Sequence, residues 1–74
     1  MTGSDSALWR KWFWENYLSL QEEYPDEYVA IQNSQIIARS PNLSEVLETA
    51  RKIVDSDDFI VEFVESGELV VLSL

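Results

Sequence analysis

Apolar and polar positions along this chain follow two rhythms, one near 3.6 residues and one of 2, and the switches between them mark the predicted elements. Residues 7–23 carry the first rhythm. Trp9, Phe13, Asn16, Leu20 and Tyr24 share one face of a helical wheel, with Trp12 and Tyr17 on its flanks. The small polar stretch before it, MTGSDS, reads as a tail whose Ser4, Asp5 or Ser6 can cap that helix. Pro25 ends the helix, because it pushes Tyr24 out of helical backbone. EYVAIQ (27–32) and QIIAR (35–39) are rich in β-formers, and Asn33-Ser34 between them predicts a two-residue hairpin turn.

The helical rhythm returns after "SPN". Leu43, Val46, Leu47, Ala50, Ile53 and Val54 fall at i, i+3, i+4, i+7 spacing, and Asn42 with Glu45 has capping-box spacing. Glu48 and Lys52 stand four apart, in the better orientation for a helix-surface ion pair. "DSDD" closes the helix. FIVEFV (59–64) and LVVLSL (69–74) then read as two strands around an ESGE turn, where Gly67 accepts positive φ. The predicted fold is α+β, in the order αββαββ. A four-stranded antiparallel sheet, order 2-1-3-4, carries both helices on one face. In that arrangement Val29, Ile31, Phe59, Val61 and Phe63 face the helices, while Tyr28, Ala30, Gln32, Ile60, Glu62 and Val64 point outward. Residues 1–6 are then a tail and 7–74 a single domain.

Composition sharpens this picture. A chain of 74 residues buries only about 60% of its unfolded surface, so its core is barely sufficient. It has no cysteine and no histidine, so neither a disulfide nor a Cys/His zinc site can staple it. Small unstapled chains commonly lean on a partner subunit. With 14 acidic against 5 basic residues, the net charge of −9 argues against direct binding to nucleic acid and against an anionic membrane surface. No stretch has the roughly 18 apolar residues of a membrane span, and the N-terminus lacks the basic-then-apolar pattern of a signal peptide. A cytoplasmic protein is the expectation.

Catalytic and cofactor chemistry finds little to use. Histidine-based nucleophile pairs are impossible, and with only Gly3 and Gly67 there is no phosphate-cradling loop. Asp55, Asp57 and Asp58 imitate the start of a calcium loop, but the glycine and distant glutamate that such a loop needs do not follow. Glu22, Glu23, Asp26 and Glu27 form an acidic cluster that reads as solvated. The expectation is no enzyme, no cofactor and no metal.

Partner contacts are better represented. Trp14 lies about 100° or more from the centre of the first helix's apolar face, one turn before Leu18. Together they make a second apolar stripe, and tryptophan is enriched at binding hot spots. Tyr28 and Ile60 extend the outer sheet face. The last strand, with Val70, Leu72 and Leu74 on its outer side, is apolar on both faces, a liability unless something covers it.

The stretch from Trp12 through Lys52 also resembles a prokaryotic family, the domain of unknown function 5678. The resemblance rests on the box Tyr24-Pro25-Asp26-Glu27-Tyr28-Val29-Ala30-Ile31, the strand Ile36-Ile37-Ala38 and the helix start Asn42-Leu43. It covers about residues 12–54. Where family members usually carry glycine in the turn, this chain has Asn33-Ser34. The resemblance implies no catalytic residues, and it implies small stand-alone prokaryotic proteins, suited to be accessory subunits.

The expected function is therefore a small acidic, non-enzymatic protein-interaction module, a homodimer or other homo-oligomer, or an accessory subunit of a larger protein. Its partner-binding residues are Trp14, Leu18, Tyr28, Ile60, Val70, Leu72 and Leu74. The alternative is an acidic regulator or antitoxin-like inhibitor that occupies a basic, nucleic-acid-binding site on a partner. A contiguous acidic face would favour the alternative; acidic residues spread along every segment favour the module.

Overall fold

The strand EYVAIQ organises the molecule. The structure is a computed structural model that describes residues 5–66. The chain runs α1 (Ser6–Glu15), α2 (Tyr17–Glu23), β1 (Glu27–Gln32), β2 (Gln35–Ser40), α3 (Leu43–Val54) and β3 (Ile60–Val64). The described strands form an antiparallel sheet in the order β2-β1-β3. The α+β class and the 2-1-3 order agree with expectation. The fourth strand expected over 69–74 lies outside the described residues, as does Ser4.

Three consecutive residues of β1, Val29, Ala30 and Ile31, are fully buried. Strand side chains alternate between faces, so a buried triplet requires cover on both sides. That cover corrects the expectation of both helices on one face. Trp9, Phe13 and Leu20 of α1 and α2 pack on Val29, Ile31, Ile60 and Val64. On the opposite face, Val46 and Ala50 of α3 pack on Ala30 and Ala38. The molecule is thus a three-layer sandwich with the sheet in the middle.

The phase of β3 follows. Ile60 stands opposite Ile31, Glu62 opposite Val29 and Val64 opposite Glu27. Residues directly opposed in an antiparallel pair share a face, so Ile60, Glu62 and Val64 turn toward α1 and α2. This reverses the expected phase. Glu62, the charge that β3 places on that side, is met by Arg10 of α1 at 2.6 Å.

Two helix boundaries also differ. The expected single helix over 7–23 is interrupted at Asn16, whose Nδ2 donates to the Trp12 carbonyl at 2.9 Å alongside its own backbone N–H at 3.0 Å. Side-chain amides that compete for backbone partners disfavour helical interiors, and the helix restarts at Tyr17. Asp5 occupies the N-cap of α1 without a side-chain cap bond. Ser6 already belongs to α1, one residue ahead of the predicted start.

Local signals read from the sequence are otherwise in place. Asn33 and Ser34 both have positive φ, 53° and 59°, the signature of a type I′ hairpin turn. The register slips by one residue after it, leaving Ile37 as a bulge. Asn42 caps α3 by accepting from the Glu45 N–H. Ser40, buried at the end of β2, completes the cap: its Oγ accepts from the Asn42 N–H at 3.0 Å and donates to Glu45 Oε1 at 2.7 Å. Along α3 the buried stripe is narrower than predicted, since Leu43 and Ile53 are exposed. Arg51 pairs with Asp57 at 2.7 Å, and among the described residues the expected Glu48–Lys52 pair does not form.

Candidate functional site

The helical repeat of α1 and α2 sorts their aromatic residues by direction. Trp9, Phe13 and Leu20 point into the core, and Trp12, Tyr17 and Tyr24 lie half-buried against it. Trp14 and Leu18 point away, 58% and 78% exposed. Nonetheless Trp14 is held. Its ring meets Phe13 edge-on, with centroids 5.0 Å apart and planes at 81°, and lies over Tyr17 at 4.9 Å and 32°. Phe13 and Tyr17 are themselves in edge contact at 5.3 Å. Such geometries add about 0.5–1.5 kcal/mol per pair, so the exposed indole rests on a rigid base.

Hydrogen bonds tie this base to the end of β3. Tyr17 Oη accepts from the Glu65 N–H at 3.3 Å, and Gln21 Nε2 donates to the Glu65 carbonyl at 3.2 Å. Next to them Asp26 Oδ1 accepts from the Ser66 N–H, and the Asp26 N–H donates to the Val64 carbonyl.

Of the predicted partner-binding residues that the structure describes, Trp14 and Leu18 are the two that stand exposed. Ile60 is a correction: it is buried in the core beneath α1, because β3 takes the opposite phase. Tyr28 is not on an open outer face either. It is half-buried on the α3 side, with its ring 4.9 Å from that of Phe63. Phe63, expected to face inward, is 39% exposed beside it. Val70, Leu72 and Leu74 lie outside the described residues.

A second feature escaped the sequence reading. Between α1–α2 and β2 runs a groove of about 340 Å³, lined by Trp12, Asn16, Ser19, Leu20, Glu23, Tyr24, Gln35 and Ile36. Its residues come from three elements, so no linear motif announces it. The Tyr-Pro box was the one available signal, since it places Tyr24 at the helix end. At Tyr24, the Arg39 guanidinium carbon stands 5.1 Å from the ring centroid while its Nη1 pairs with Glu27 at 3.1 Å.

The acidic side chains are distributed. Asp5, Asp57 and Asp58 line a cleft with Ser6, Trp9, Asn33 and Phe59 at the hairpin-turn end, whereas Glu22, Glu23 and Asp26 stand at the end of α2. Among the described residues no group of three or more acidic side chains is placed to hold a metal ion, and no helix is long and apolar enough to cross a membrane.

The model of the family of unknown function DUF5678 matches residues 19–67. The matched segment begins within α2 and passes beyond β3, and it does not include Trp9, Trp12 or Trp14. No curated protein and no solved structure matches the chain.

Proposed function

The chain belongs to the DUF5678 family, and on that premise we propose that it is a small acidic, non-enzymatic interaction module of the cytoplasm. It self-associates or serves as an accessory subunit of a larger protein. Trp14 carries this reading. A tryptophan 58% exposed yet braced by two rings is preorganised for contact, so little side-chain entropy is lost on binding. Leu18 widens the stripe, and the net charge of −9 favours a protein partner over nucleic acid or an anionic membrane. Acidic groups at both ends of the molecule, rather than on one face, support the module over a charge-mimicking inhibitor.

Light scattering over a concentration series of wild-type chain and of the Trp14→Ala/Leu18→Ala variant tests the proposal. The wild type is expected to grow beyond the 8.6 kDa monomer. The double variant, folded by circular dichroism, is expected to remain a monomer, since a hot-spot truncation costs about 2 kcal/mol or more of association. A wild-type monomer at every concentration moves the test to co-purification from the native host with both chains. A partner lost with the double variant then supports the accessory-subunit arm, and equal recovery overturns the surface. If the variant unfolds, Trp14 is structural and the proposal fails.

A further inference from the structure

We propose that the groove between α1–α2 and β2 is a slot for a basic side chain, lysine or arginine, presented by a partner protein. At about 340 Å³ it sits at the low end of the roughly 300–1,000 Å³ of ligand pockets, a fit for one long side chain. Its apolar lining consists of buried Leu20, half-buried Ile36 and the half-buried rings of Trp12 and Tyr24. Glu23 supplies a carboxylate, and Gln35 an amide, at the exposed rim.

Each part matches a part of that ligand. A methylene stem lies along apolar lining while its charged head stays near water. Aromatic faces attract a cation through their quadrupole, and Tyr24 already holds one, the Arg39 guanidinium 5.1 Å from its centroid. Arg39 is not among the residues lining the groove, and its charge is engaged by Glu27.

Among the described residues no internal cation supplies the slot. Arg10, Lys11 and Arg51 pair with Glu62, Glu15 and Asp57, and Lys52 lies on α3, across the sheet. Glu23 has no ion-pair partner among the described residues. A net charge of −9 draws basic groups toward the molecule from solution. The slot is separate from the Trp14 stripe, because residues 12 and 14 diverge by about 200° on the helix, so it stands or falls independently of that surface.

The test is an NMR titration of the full chain with a capped Ala-Lys-Ala peptide, with the Nε-acetyl-lysine peptide as an uncharged control of the same stem. Saturable shifts at the Trp12 indole N–H and the Gln35 side-chain amide are expected. Binding should be about fivefold weaker for the acetylated peptide and for the lysine peptide with a Glu23→Gln chain. Glu23 is exposed, so that variant keeps the fold. Equal binding of both peptides would show a merely apolar groove and overturn the proposal, as would shifts centred on Trp14 or none at all.

Discussion

The two faces of the sheet are packed by opposite means. Beneath α1 and α2 the contact is made by bulk: Trp9, Phe13 and Leu20 against Val29, Ile31, Ile60 and Val64. Beneath α3 the fully buried contact is made by small side chains, Ala50 and Val46 against Ala30 and Ala38, and the larger Tyr28, Ile37, Phe59 and Val61 are only partly buried around it. The strand β1 serves both, sending Val29 and Ile31 one way and Ala30 the other. A face built on large side chains draws its stability from apolar area removed from water, about 25 cal/mol per Å². A face built on alanines depends on how closely the helix approaches. The first is therefore vulnerable to truncation and the second to enlargement.

Truncating Phe13 is the severest break of the first face. Its side chain is fully buried and also supports the rings of Trp14 and Tyr17. Phe13→Ala is expected to cost about 3–5 kcal/mol, much of what a domain stabilised by about 0.05–0.15 kcal/mol per residue holds. Urea titration followed by tryptophan fluorescence should find its midpoint moved far toward zero urea. A loss below about 1 kcal/mol would mean that the bulk-packed face is not the main source of stability.

Enlarging Ala50 probes the second face. Ala50 is fully buried against Ala30 and Ala38, so Ala50→Leu has to push α3 off the sheet. Overpacking of this kind costs about 1–3 kcal/mol. The expected denaturation midpoint falls between those of wild type and Phe13→Ala. Were Ala50→Leu neutral or stabilising, α3 would be loosely seated and the contrast between the faces would collapse.

The contrast was only partly legible in the sequence. Local signals were readable because their causes are local: Pro25 ending α2, the Asn33-Ser34 turn, Asn42 as a cap. So were Trp9, Phe13 and Leu20 as core and Trp14 with Leu18 as a surface stripe, since helical spacing separates them. Periodicity says which residues are buried but not on which side of a sheet a helix sits. The hint lay in Val29-Ala30-Ile31, a triplet apolar in both phases, which demands two covering layers. FIVEFV is ambiguous for the same reason: only Glu62 marks a side, and it turns inward to Arg10, which misplaced Ile60 and Phe63. The break at Asn16 depends on one side-chain amide reaching the Trp12 carbonyl, a competition that spacing does not reveal.

The smallest expected effect sharpens the comparison from outside both faces. Ser34 holds φ at 59°, a left-handed conformation that costs a residue bearing Cβ about 1–2 kcal/mol. Glycine relieves that strain but adds freedom to the unfolded chain, so Ser34→Gly should stabilise by about 0.5–1 kcal/mol, read as a raised denaturation midpoint with an unchanged slope. Ser34 sits at the exposed tip of the hairpin and touches neither core cluster. Its effect should therefore add to those of Phe13→Ala and Ala50→Leu within about 0.5 kcal/mol. Additivity would make Ser34→Gly a sturdier background in which both faces can be measured from a folded baseline. If instead glycine rescued one face more than the other, the turn would be setting how β1 divides its side chains between the two layers, and the faces would not be independent.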